Sequence, residues 1–213
     1  LNISNNNIGH LVLPEGWEHG NSSHPGEFWN QSDKKYYTSP PEGSTSYGTN
    51  DLAGAIKILT SLKTLNISNI NLSTEGSEAI AEALEENTVL EYLDMSNNQG
   101  GPKCAQILAE GVIGRGALTS LNISHNELVQ WDLPADWVEH TQPRYKGWYR
   151  QEKTEKWIHT LPPETTPSES TRDALTGLVN KGALKQLNIS YNALYGEGTK
   201  TLAEAFRSNS PMD

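Results

Sequence analysis

The chain has 213 residues, 16 Lys and Arg against 26 Asp and Glu, and a formal net charge of −10. That balance argues against a nucleic-acid or anionic-membrane partner, which would need a basic face. A single Cys, Cys104, rules out an internal disulfide, and no apolar run reaches the roughly 18 residues of a membrane span.

The chain opens on LNISNNNI, Leu1–Ile8, with no basic and apolar stretch of the signal-peptide kind. In LNIS the Leu and Ile alternate with polar residues, as a half-buried strand requires. An Asn follows, suited to a turn in which its amide satisfies backbone groups. Next comes an aromatic stretch, Leu13–Gly43, and then a helical pattern over Asn50–Ser61. Strand segments LKTLNISNINL (Leu62–Leu72), LEYLDMSNNQG (Leu90–Gly100) and LTSLNISHNEL (Leu118–Leu128) alternate with helical patterns over Ser73–Asn87 and Gly101–Gly114. The first of these strands departs from the pattern, with Ile70 where Asn98 and Asn126 stand. Ser73 or Thr74 is expected to cap the Ser73–Asn87 helix. Its apolar face is Ala79, Ile80, Ala83 and Leu84; that of Gly101–Gly114 is Cys104, Ile107, Leu108 and Val112. A second aromatic stretch, Leu133–Glu164, precedes a helix over Ser170–Gly182, the strand segment LKQLNISYNAL (Leu184–Leu194) and a helix over Gly196–Asn209.

LNIS starts are 64, 56 and 66 residues apart, and the LDMS variant at Leu93 splits the 56 into two steps of 28. One strand and one helix per 28 residues cannot bury their own apolar faces; stacked neighbours can. The template L-x-x-L-x-L-x-x-N-x-L with this period resembles the leucine-rich repeat of the ribonuclease-inhibitor-like class. The resemblance implies an α/β solenoid, a horseshoe arc of parallel inner strands and outer helices, and a protein-binding scaffold without catalysis. The single Cys departs from the Cys-rich mammalian inhibitors, so their identity and ligand do not carry over. The expected organisation is one arc over 1–213 of about five repeats, a piece of a longer array, with inserts at 13–48 and 131–168.

The inserts account for the two long gaps. Both open on L-P-x-x-W and close on P-P-E, and they hold all six Trp in or beside them. A linker would be Gly/Ser-rich and poor in aromatics. Glu27–Ser39 and Gly147–Thr160 read as aromatic hairpins. The pattern resembles a WW module, a small aromatic sheet that grips Pro-rich peptides. That resemblance implies a buckle of Trp137 with Pro162 or Pro163, a central pair Trp148–Tyr149, and a ligand-facing Trp157. In the first insert it implies Trp17 against Pro40 or Pro41, the pair Phe28–Trp29, and Tyr36 or Tyr37 in place of the second Trp. The usual His and Thr of that family have no clear match.

Three readings of the aromatics stand open: a miniature core, a groove for a Pro-rich or extended peptide, or a contact surface for a partner protein. The candidate partner-binding residues in the inserts are Trp29, Tyr37, Tyr149 and Trp157. On the concave strand face, small polar residues repeat in rows. The candidates there are the residues that break pattern: Tyr92, Asp94, His125 and Tyr191. The N-x-S/T sequons at the four LNIS strands follow from the strand pattern and say nothing of secretion; the compartment stays open, with the cytoplasm slightly favoured. HGNSSH (His19–His24) lacks zinc-ligand spacing, and GVIGRG (Gly111–Gly116) precedes a strand rather than a helix, so no metal or cofactor is expected. The expected partner is a protein or a Pro-rich peptide. The alternative is a structural subunit whose inserts are permanent packing surfaces; an enzyme regulator survives only by fold analogy.

Overall fold

The computed structural model describes residues 1–6, 13–20, 28–37, 47–114, 117–140, 147–180 and 184–209. In chain order its elements are β1 (Trp17–His19), β2 (Phe28–Asn30), β3 (Lys35–Tyr37), α1 (Tyr47–Ile58), β4 (Thr64–Asn66), α2 (Thr74–Leu84), β5 (Tyr92–Asp94) and α3 (Gly101–Ile107). There follow a π-helix (Leu108–Ile113), β6 (Ser120–Asn122), β7 (Trp131–Asp132), β8 (Trp137–Glu139), β9 (Tyr149–Gln151), β10 (Trp157–Ile158), β11 (Thr166–Pro167), α4 (Glu169–Asn180), β12 (Gln186–Asn188) and α5 (Tyr195–Asn209). They form two compact units. One holds Leu1–His10, Ser46–Gln130 and Pro167–Asp213; the other holds Leu11–Thr45 and Trp131–Thr166.

The first unit is a mixed α/β body. Its strands pair in parallel in the order β12-β6-β5-β4. The register sets Leu65 beside Leu93, Leu93 beside Leu121, and Leu121 beside Leu187. Asn2 extends the ladder as a bridge to Asn66. The three central strands send their Leu and their Ile or Met inward, while Leu1 of the first LNIS segment is exposed. Leu65, Ile67, Leu93, Met95, Leu121 and Ile123 are all buried. They meet Ile80, Leu84, Leu108 and Leu178 from the helices in one continuous core. Burying one such side chain is worth about 1.5–3 kcal/mol, against about 1–2 kcal/mol for ordering the backbone of one residue, so each strand depends on both of its inward side chains. Successive helices pack in sequence order, α1 on α2, α2 on α3, α3 on α4 and α4 on α5.

At the helices one expectation is met and two shift. Ser73 caps α2, its hydroxyl accepting from the Gly76 N–H at 3.1 Å. The pattern over Gly101–Gly114 is not one α-helix. At Leu108 it widens into a π-helix, closed by Gly114 N–H donating to the Ala109 carbonyl five residues back at 3.1 Å. Its Gly111 lies against α2's C-cap, where a Cβ would come 2.4 Å from Glu85 Cγ. At the insert boundaries, α1 already begins at Tyr47. Ser168 stands just ahead of α4 and caps it, its hydroxyl accepting from the Thr171 N–H at 3.3 Å.

The second unit contains two three-stranded antiparallel sheets, in the orders β1-β2-β3 and β10-β9-β8. Each therefore has one strand more than the expected hairpin, because the L-P-x-x-W segment itself pairs. The same bonds recur in both. Trp17 N–H donates to the Pro14 carbonyl at 3.2 Å, and Trp137 N–H to the Pro134 carbonyl at 2.9 Å. Gln31 N–H reaches the Gly16 carbonyl at 2.9 Å, and Glu152 N–H the Asp136 carbonyl at 2.7 Å. Gly16 takes φ +82°, as a type II turn demands, whereas Asp136 closes the equivalent turn without a positive φ, so the two turns differ in type. Lys34 and Glu155 adopt φ 55° at matching places in the β2–β3 and β9–β10 turns.

Candidate functional site

The polar face of the parallel sheet explains why four letters recur. In each strand the Asn Oδ1 accepts twice from the Ser two residues on, from its N–H and from its hydroxyl. The distances are 3.0 and 2.9 Å at Asn66–Ser68 and 3.1 and 2.8 Å at Asn188–Ser190. Asn2 and Asn122 make the same socket. The later Asn closes the turn from inside. Asn98 Oδ1 accepts from the N–H of Ile70 and Leu72, while its Nδ2 donates to the carbonyls of Ile67 and Met95. Asn126 and Asn192 repeat the arrangement.

Asp94 stands in the socket row and is held there. Ser96 donates to its Oδ1 at 2.9 and 2.6 Å; Asn122 Nδ2 and Tyr92 Oη donate to its Oδ2 at 3.1 and 3.4 Å. Burial, and then the Asp94 carboxylate, raise the Tyr92 phenol above its usual pKa. Both oxygens of Asp94 are thus engaged inside the sheet, so this break in pattern is accounted for by a ladder rather than by an open carboxylate.

At the corner after each strand the backbone turns left-handed. Asn5, Asn69, Asn97, His125 and Tyr191 have φ between 52° and 59°. Asn tolerates that region best among residues with a side chain. The three amides form a ladder, Asn69 Nδ2 to Asn5 Oδ1 at 2.9 Å and Asn97 Nδ2 to Asn69 Oδ1 at 2.7 Å. There the ladder stops. His125 instead stacks on Tyr191, ring centroids 4.2 Å apart and planes 13° from parallel. Beside this stack lies a groove of about 390 Å³, lined among others by Asn97, His125, Glu127 and Tyr191, with buried Leu72 and Asn98 at its floor. Two of the four strand-face candidates, His125 and Tyr191, therefore meet at one site, and Tyr92 and Asp94 share another.

In the insert sheets, the register sorts the aromatics onto two faces, since cross-strand partners share a face and neighbours along a strand do not. Tyr37 pairs with Phe28, and Trp17 lies two residues from Phe28's partner His19, so Trp17, Phe28 and Tyr37 form one face. The Trp17 and Tyr37 rings meet edge to face at 5.1 Å. The opposite face carries Trp29 against Tyr36, centroids 4.8 Å apart. In the other sheet Trp137, Tyr149 and Ile158 make the first kind of face, and Tyr149 is 5 % exposed. The second kind carries Arg150 with its guanidinium 6.0 Å from the Trp157 ring centre. His140 packs on Trp157 at 5.3 Å, and His159 meets Trp148 edge-on at 5.4 Å. Trp148 and Trp157 are 39 % and 45 % exposed.

The four insert candidates therefore split. Trp29 and Trp157 lie on corresponding faces of the two sheets, Trp29 half-buried and Trp157 exposed. Tyr149 packs inward, and Tyr37 lies on the Trp17 face, its hydroxyl donating to Asp33, whose hydrogen bond raises the phenol's pKa. The central pair also shifts by one residue, because β2 and β9 align Phe28 with Tyr149 and Trp29 with Arg150. Tyr36, not Tyr37, matches Trp157. Sequence reasoning named Tyr36 only as an alternative to Tyr37, and it missed Arg150, His140 and His159. Counting alternation outward from Trp17 and Trp137 as strand residues would have found them. Pro162 is buried and Pro163 exposed; Pro40 and Pro41, like most of HGNSSH, lie outside the described residues.

Cys104 is buried on the core side of α3, and burial pushes its thiol pKa up to about 12. Among the described residues no group of three metal-ligating side chains converges, and no helix is long and apolar enough to cross a membrane.

No family model and no curated protein matches the chain. Among solved structures it is similar to one described as "Leiomodin-1 Actin-Binding Site 2 (ABS2)", at 16 % identity and a TM-score of 0.45. The match covers 78 % of this chain and 73 % of that one. A likeness this loose assigns neither a family nor a partner.

Proposed function

We propose that the chain is a non-enzymatic protein-interaction scaffold. In this reading the first unit is a leucine-rich-repeat arc of the ribonuclease-inhibitor-like class, and the two insert sheets are WW-like modules that take a Pro-rich peptide. The arc reading draws support from the 28-residue spacing, the parallel register and the Asn sockets.

The observation that carries the binding reading is the outward face of the second insert sheet. Trp148 and Trp157 stay exposed there, although burying each indole would be favourable. They are framed by His140, Arg150 and His159. Trp and Arg dominate the energetics of protein interfaces, and a polyproline segment enters an aromatic slot already extended, at low entropic cost. The packing role is met on the other face by Trp137, Tyr149 and Ile158.

The test is a titration of the whole chain with a set of Pro-rich peptides, followed by Trp fluorescence. A saturable change is expected, abolished in Trp157→Ala and kept in Tyr149→Phe, with the far-UV spectrum unaltered in both. Absence of any saturable change in the folded wild type would sink the peptide reading and leave the inserts as packing surfaces of a larger assembly.

A further inference from the structure

The amide ladder of the first unit ends with an open acceptor. Asn69 shows how a rung is used: its Nδ2 donates back to Asn5 and its Oδ1 receives from Asn97 on the following strand. Asn97 donates back in the same way, and the rung that follows it is His125. His125 supplies no amide and turns instead onto Tyr191. Among the described residues nothing donates to Asn97 Oδ1. The groove opens at this break. It combines that carbonyl oxygen, two stacked aromatic rings and the carboxylate of Glu127, the only acidic or basic side chain apart from His125 among its described lining residues. The chain as a whole carries −10, so its field also favours a cation.

We propose that this groove binds an arginine side chain of a partner protein's peptide segment. A guanidinium is flat, always charged and rich in donors. It can lie along the His125–Tyr191 rings while donating charge-assisted hydrogen bonds to Asn97 Oδ1 and to the Glu127 carboxylate, the second of them also an ion pair. A lysine ammonium offers the charge without the planar contact. This site lies in the first unit and does not depend on whether the inserts bind Pro-rich peptides.

The test is proton NMR of the whole chain at pH 7.5 with acetyl-Ala-Arg-Ala-amide as probe. Acetyl-Ala-Lys-Ala-amide and free arginine serve as parallel arms. The expected result is saturable shifts of the Tyr191 ring and His125 imidazole signals with the Arg peptide, with the Lys peptide at least about 5-fold weaker. The decisive variant is His125→Asn. Asn is the residue the ladder uses at this corner, so the fold is kept, while the ring is lost and Asn97 Oδ1 gains a donor. Affinity should fall by about 10-fold or more, the scale of one lost charge-assisted or stacking contact. Glu127→Gln should weaken binding as well. Equal binding by His125→Asn and wild type, equal binding of the Lys and Arg peptides, or no shift of these signals at millimolar probe would each overturn the proposal. Shifts from free arginine alone would overturn the assignment to a peptide partner.

Discussion

Asp94 and Cys104 show how much one side chain can depend on its neighbours. Replacing Asp94 by Ala removes four hydrogen bonds and strands the Ser96 and Asn122 donors. A loss of about 1–3 kcal/mol is expected by urea unfolding. Asp94→Asn, which restores the residue of the other strands, should cost far less. Cys104 has a folded-state pKa raised from 9.0 to about 12. A raised pKa means that the folded chain holds this proton more tightly than the unfolded one. The thiol's contribution is therefore full below pH 9 and is lost as the pH rises toward 12. The unfolding free energy from urea titrations between pH 8 and 10 should fall, approaching a limiting slope of about 1.4 kcal/mol per pH unit from this group above pH 9. Cys104→Ala should make the decline shallower; an unchanged decline would mean that the thiol does not contribute. The native thiol should also resist a thiol-labelling reagent at pH 8, because it is 3 % exposed.

At the scale of elements, the Leu and Ile alternation was enough to place every parallel strand, because each LNIS has one buried face and a one-residue slip would turn Leu65 or Ile67 to water. The helix existence was equally legible, and Ser73 announced its own cap. The insert faces were harder to read. Two adjacent Tyr at 36 and 37 satisfy any aromatic pattern, and only the strand register tells which one joins Trp29. The π-helix was not legible either. Gly111 in its widened turn lies against Glu85, a contact between elements that no local period records. Gly111→Ala should destabilise the first unit, and Glu85→Ala should recover part of the loss. A double-mutant cycle is expected to give a coupling of about 0.5–3 kcal/mol. In the insert, Gly16→Ala places a Cβ in open space but at φ +82°. Strain alone then predicts a cost of about 1–2 kcal/mol to the first insert sheet.

For the whole molecule, the division into two units has a spectroscopic counterpart. All six Trp belong to the insert unit, whereas α1 to α5 belong to the other. Trp emission therefore reports on one unit and helical ellipticity on the other. The insert sheets bury few large apolar side chains, Phe28 and Tyr149 among them, and small cores are marginal. Thermal unfolding followed by Trp emission is expected to have a lower midpoint than unfolding followed at 222 nm ellipticity; coincident curves would show one cooperative body instead. The hydrogen bonds of the repeat also show where such sheets can be accommodated. Ile70 reaches across 28 residues to Asn98, and Asn126 reaches across 66 residues to Asn192 by the same kind of bond. The ladder does not register the 38 extra positions between the second pair. The junction after the strand corner is thus a cassette port. A lineage or an engineer can exchange what is spliced there without renegotiating the repeat on either side, so recognition can diversify while the frame that carries it is left alone.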